Sequence, residues 1–175
     1  VPSITKYLSV IFLFVWLGRS TVWNFLPIYF EQHVPSVFLI GVMTSVPALA
    51  PILLDIPVGN LVQRAGERIV LFLGIVVSLL PPLMYITAIP ALLVFGKLFE
   101  GFAKGLIWNA GWSLNMKSAD SDIESESISV FFLGLNLAIV IGPIIGGFII
   151  ASRGFQIPFL LWMFTTVLGI ALYYV

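Results

Sequence analysis

The sequence contains no cysteine, which excludes a disulfide framework, a thiolate metal site and a cysteine nucleophile. Histidine occurs once, at His33, inside the polar turn EQHVPS, so a serine hydrolase built on a histidine base has no base to use. No group of residues has metal-ligand spacing, and no cofactor or metal is expected. Charge is scarce as well. Only 9% of the 175 residues are Asp, Glu, Lys or Arg, eight basic against eight acidic, and the formal net charge is zero. A chain with no basic field does not gather nucleic acid.

What the sequence has instead is apolar bulk: 60% of residues are hydrophobic, and mean hydropathy is +1.12. That balance is foreign to a soluble domain and typical of an all-α integral membrane protein, with the lipid bilayer as its first partner. A membrane helix needs about 20 mostly apolar residues. Polar punctuation cuts the chain into six such spans, at about residues 4–30, 37–62, 69–88, 91–114, 128–150 and 155–175. EQHVPS and QRAGER are short turns, Pro90 stands where a helix begins, and residues 117–127 form the one long hydrophilic loop. The whole chain therefore reads as a single six-helix transmembrane domain, and no enzyme chemistry is visible in it.

Lys and Arg are concentrated in cytoplasmic loops of membrane proteins. Lys6, Arg64, Arg68 and Lys117 fall on one side of the six spans and Arg153 on the other, which orients both termini to the cytoplasm. The acidic residues Asp120, Asp122, Glu124 and Glu126 read as a solvated loop that also caps the fifth helix.

Charges inside the spans are the informative exceptions, because each costs about 2.5 to 3.5 kcal/mol at the bilayer centre on insertion scales. Arg19 lies in the first span, Asp55 in the second, and Lys97, Glu100 and Lys104 in the fourth. Spacings of three and four align Lys97, Glu100, Lys104 and Trp108 on one helical face, and Arg19 and Trp23 are likewise four apart. Glu100 and Lys104 are expected to pair at i, i+4. One reading of this stripe is a salt-bridge network that fixes helix packing; the other is a wet cavity whose charges bind a solute or carry a proton.

Two further segments carry a family resemblance. LLDIPVGNLVQRAGER closes the second span, and GLNLAIVIGPIIGG fills the fifth. The first resembles the signature between the second and third spans of the major facilitator superfamily, with Gly59, Gln63, Arg64, Gly66 and Arg68 in its positions. Gln63 stands where that family has an acidic residue. Lys97 and Gly101 in KLFEG are similar to the fourth-span Arg and Gly motif, and Gly142, Pro143, Gly146 and Gly147 resemble a motif associated with antiporters. The resemblance runs through all six spans in order and implies the amino-terminal half of a twelve-span fold. It further implies that the first and fourth helices line a central cavity, the second and fifth make gating contacts, and the third and sixth face lipid.

The implied activity is secondary transport of a small-molecule substrate by alternating access, proton-coupled and possibly by antiport, in the cell membrane. Arg19, Trp23, Lys97, Glu100, Lys104 and Trp108 are the expected substrate-binding residues, and Glu100 and Asp55 the expected proton-coupling carboxylates. The alternative is a half-length membrane protein without transport activity that serves as an assembly or regulatory partner. The chain starts at a valine and stops at YYV, which reads as one half of a longer transporter. The second half is then a missing carboxy-terminal unit or, in a parallel homodimer, a second copy.

Overall fold

The computed structural model describes residues 1–119 and 124–173, leaving aside the side chains of Ala50 and Pro51. Eight helical segments follow one another among these residues: α1 (Ser3–Trp23), α2 (Leu26–Glu31), α3 (Val37–Ala65), α4 (Glu67–Val77), α5 (Leu80–Ile86), α6 (Pro90–Ser118), α7 (Glu124–Arg153) and α8 (Gln156–Tyr173). They group into six membrane-length units, because α1 with α2 and α4 with α5 are each one span interrupted near proline.

Both interruptions have a local cause. Pro27 supplies no backbone donor for the carbonyl of Trp23, and the chain breaks at Asn24 and Phe25. Pro81 and Pro82 do the same to Val77 and Ser78, and the break falls at Ser78 and Leu79. The stretch expected as an unbroken span over residues 4–30 is thus two helices, as is that over 69–88. The hydrophilic connection is also shorter than residues 117–127, since α6 runs to Ser118 and α7 is helical from Glu124. Asp120 and Asp122 lie outside the described residues.

Among the described residues four stretches are long and apolar enough to cross a membrane: Val37–Ala65, Glu67–Ile86, Glu124–Arg153 and Gln156–Tyr173. The other two long helices, α1 and α6, are the ones that carry Arg19 and the Lys97, Glu100 and Lys104 stripe. They can afford charge only because neighbours cover them. α7 and α8 pack along α1, while α3 and α4 pack along α6. The helices α3 and α7 leave long apolar faces bare, including Ile52, Leu53 and Ile56 on one and Val140, Ile144 and Phe148 on the other.

The α1–α7 contact explains the small residues of the fifth span. Gly134, Ala138, Gly142 and Gly146 recur every four residues and are all buried. A Cβ at Gly134 would strike the carbonyl oxygen of Ser9, and one at Gly146 that of Thr21, so the two backbones touch directly. The Ser9 hydroxyl accepts from the Gly134 amide at 3.0 Å, adding a polar contact to the van der Waals seam.

The two ends of the bundle differ in charge. Tyr7, Arg68, Leu114 and Tyr173 line one cleft, and the Tyr173 hydroxyl donates to the Arg68 carbonyl, so the chain's beginning, the turn at Gly66 and the ends of α6 and α8 share an end. Gly66 makes that turn at φ +88, a left-handed conformation that a side chain disfavours. At the same end Lys117 and Ser113 of α6 both reach Glu67 at the start of α4. Arg153 and His33 line a cleft at the opposite end.

Candidate functional site: a buried carboxylate behind an aromatic groove

Glu100 sits midway along α6, only 2% exposed, and every acceptor position on its carboxylate is used. Arg19 donates from Nε and Nη2 to Oε1 at 3.0 and 2.8 Å. Lys97, one turn earlier on α6, donates to Oε2 at 2.9 Å, and the Tyr85 hydroxyl of α5 donates to the same oxygen at 2.8 Å. Three spans therefore converge on one side chain. The cations have aromatic cover too: the Arg19 guanidinium lies 4.8 Å from the Trp23 ring centre, and Lys97 Nζ lies 5.6 Å from that of Phe30.

The expected Glu100–Lys104 pair does not form. Glu100 is already saturated by Arg19, Lys97 and Tyr85, and Lys104 turns instead into a groove of about 340 Å³ between α1, α3, α6 and α7. Arg19, Trp23, Asp55, Lys104, Trp108 and Asn109 line this groove. Asp55 accepts from the Asn109 side chain at 3.0 Å, and that amide also donates to the Gly105 carbonyl, which fixes its direction. Among the described residues Lys104 has no ion pair. Lys97 and Glu100 are not among the groove's lining residues, so the six residues expected to bind substrate separate into two layers. Arg19, Trp23, Lys104 and Trp108 form a front layer at the groove, with Lys97 and Glu100 behind.

A chamber of about 20 Å³, the scale of one water molecule, links the layers. Arg19, Glu100, Lys104 and Ser78 are among its walls. Arg19 and Lys104 border both spaces and are the only charged side chains to do so among the described residues.

The residues of the expected gating motifs are spread over the molecule. A Cβ added at Gly59 would meet nothing within 4 Å, and Gln63, Arg64 and Arg68 are exposed. By contrast Gly142 and Gly146 are buried against α1, Gly147 faces the Phe25 ring, and Pro143 lies inside α7. Within this chain the GPIIGG segment is therefore part of the α1–α7 seam.

Sequence reasoning did not single out Tyr85, Asn109 or Ser78. A tyrosine in an apolar span reads as packing, and nothing near it in the sequence marks its partner fifteen residues away.

A six-unit helical bundle with its charges on the first and fourth units has a counterpart among known families. The model of the major facilitator superfamily matches residues 8–175. The chain belongs to that superfamily. It is a multi-pass membrane protein of a transporter family and not an enzyme.

Among curated proteins it is similar to the multidrug resistance protein MdtG of Escherichia coli, at 27% identity over 166 residues, which covers 91% of this chain and 40% of that protein. MdtG of Klebsiella pneumoniae is 26% identical over 165 residues, with the same two coverages. An uncharacterized MFS-type transporter of Schizosaccharomyces pombe, C18.02, is 26% identical over 143 residues, 77% of this chain and 30% of that protein. The chain thus spans about 40% of the length of the MdtG relatives and corresponds to their amino-terminal part.

Proposed function

We propose that this chain forms one six-helix half of a secondary transporter that moves a small amphipathic solute by alternating access. The observation that carries the proposal is the two-layer arrangement, with a groove of cations and tryptophans in front and a saturated carboxylate behind. Arg19 and Lys104 attract an anionic or polar group, while Trp23 and Trp108 offer flat apolar surface to the rest of the solute. The name of the MdtG relatives, multidrug resistance protein, favours a solute exported from the cell.

Proton coupling falls to Glu100 and Asp55. Arg19 is the link, because it touches Glu100 while bordering the groove: a solute that draws Arg19 away frees Oε1 to accept a proton. The bare apolar faces of α3 and α7 are the surfaces on which a second half rocks. That half is a carboxy-terminal unit or a second copy of this chain.

Native mass spectrometry in lipid nanodiscs distinguishes the two, since only a self-sufficient chain gives a stable dimer. Solute flux is then measured in proteoliposomes of the transport-competent assembly under an imposed pH gradient. Glu100→Gln, compared at equal folded protein, is expected to abolish the pH dependence, with Asp55→Asn altering it less. Retained pH dependence in Glu100→Gln refutes the assignment, and absence of any flux favours the assembly-partner reading.

Both termini are assigned to the cytoplasm from the excess of Lys and Arg at their end of the bundle. Because the chain lacks cysteine, Ser125→Cys and Ser152→Cys can each serve as a single label site. Impermeant thiol reagents are expected to reach Ser152→Cys from outside the cell and Ser125→Cys only after lysis; the reverse pattern overturns the orientation.

A further inference from the structure

The four donors on Glu100 divide unequally between its two oxygens. Oε1 is held by Arg19 alone, which borders the groove and lies over Trp23, itself 44% exposed. Oε2 is held by Lys97 and Tyr85, both inside the bundle and sealed from the groove.

Tyr85 is fixed from every direction. Its ring lies edge-on to Phe30 at 5.7 Å and packs beside Phe159 and Trp162. Its carbonyl, near the end of α5, accepts the Tyr29 hydroxyl at 2.6 Å. The ring occupies space that α6 leaves open only because residue 96 is glycine: a Cβ there would fall on the Tyr85 ring, 3.0 Å from Cδ1 and 3.2 Å from Cζ. The break between α4 and α5 gives α5 its own approach to α6, one turn before Glu100. A buried phenol needs a partner for its hydroxyl, but an apolar span offers phenylalanine as the simpler filler. Here the hydroxyl is used, donating to Glu100 Oε2, while the glycine opposite the ring and the Tyr29 bond to the Tyr85 carbonyl fix where the ring stands.

We infer that Tyr85 is a positioning residue for Glu100, which with Lys97 pins Oε2 in the bundle and leaves Oε1 and Arg19 as the half that exchanges on the groove side. The inference rests on the reading of Glu100 as a coupling carboxylate. It adds a third-span residue that touches neither the groove nor the solute. Without the Tyr85 hydroxyl Lys97 alone holds Oε2, and Arg19 meets a less firmly fixed acceptor.

The test combines Tyr85→Phe with Gly96→Ala, which reaches the same hydroxyl by displacing the ring. Infrared difference spectra of the chain in nanodiscs report the Glu100 carboxylate stretches, assigned by their loss in Glu100→Gln. Both variants are expected to shift these bands. In the transport-competent assembly Tyr85→Phe is expected to lower Vmax about tenfold or more, from loss of a hydrogen bond to a charged group, with KM changed less than about twofold. Bands unchanged in both variants, or wild-type Vmax in Tyr85→Phe, overturn the inference. Shifted bands and reduced Vmax alongside flux that ignores pH would overturn proton coupling and leave the positioning role standing.

Discussion

Removing the Glu100 carboxylate should cost more than removing Lys97, one of its two cations. Glu100→Gln keeps the side chain's shape but leaves Arg19 and Lys97, 9% and 2% exposed, on a neutral amide with no counter-charge between them. Breaking a buried ion pair from one side costs about 3–5 kcal/mol, because the remaining charge keeps its desolvation penalty. Lys97→Met fills nearly the same volume and leaves the Arg19–Glu100 pair intact. It loses one charge-assisted hydrogen bond, about 1.5–3 kcal/mol, and is offset by no longer burying an ammonium group. The net cost of Lys97→Met is therefore expected to stay below about 1.5 kcal/mol, and the two variants to differ by at least about 1.5 kcal/mol. Unfolding in mixed micelles, followed by circular dichroism at rising denaturing-detergent fraction, measures both. A Glu100→Gln cost below about 1 kcal/mol would mean that water screens the cluster, and a Lys97→Met cost equal to it would mean that the triad is not organised around the carboxylate.

The small residues of α7 make a second pair of contrasting variants. Gly146→Ala drives a Cβ into the Thr21 carbonyl and should destabilise by about 1–3 kcal/mol, whereas Gly59→Ala meets open space and should be neutral or stabilising by up to about 1 kcal/mol in thermal unfolding. Lys104→Met, at a half-buried cation without an ion pair among the described residues, should leave the melting temperature close to wild type and raise KM for an anionic solute about tenfold in flux assays. Glu67→Gln unlinks α4 from Lys117, whose side chain is 67% exposed, so its cost should not exceed about 1 kcal/mol and should vanish in high salt.

Hydropathy marks the four most apolar stretches directly, because a bilayer span of about 20 apolar residues is a long signal, whereas α1 and α6 carry charge that lowers theirs. Helical periodicity put Lys97, Glu100 and Lys104 on one face, which α6 as a continuous helix preserves. Periodicity could not decide which cation Glu100 would take. The i, i+4 rule describes an isolated helix and favours Lys104, but Arg19, 81 residues away, brings two donors and a closer fit. The interruptions at Pro27 and Pro81–Pro82 escaped the same way. Within an apolar run, hydropathy does not change at a proline, and only the backbone donor is lost. The glycines of α7 were visible as a small-residue surface, but whether that surface met α1 or another half of the transporter depended on packing that no single segment encodes.

Charge accounting at mid-bundle connects the buried cluster to the open groove. Arg19, Lys97 and Lys104 bring three positive charges against two carboxylates, Asp55 and Glu100, which leaves one cation in excess. The triad of Arg19, Lys97 and Glu100 holds two cations on one carboxylate and so carries that excess itself, and it reaches the groove through Arg19, beside Lys104, which has no ion pair among the described residues. A lone ammonium at this depth is costly unless water or an anion reaches it. An anionic solute and an acidic side chain from a second half would each supply the missing charge, with opposite consequences for binding. If the solute supplies it, adding a carboxylate through Ile139→Glu, on the groove wall contributed by α7, should weaken binding of an anionic solute. If a second half supplies it, the same substitution should instead weaken association of the two halves while leaving the affinity of the assembled transporter unchanged. Equilibrium binding and native mass spectrometry on one variant therefore separate the two sources of charge.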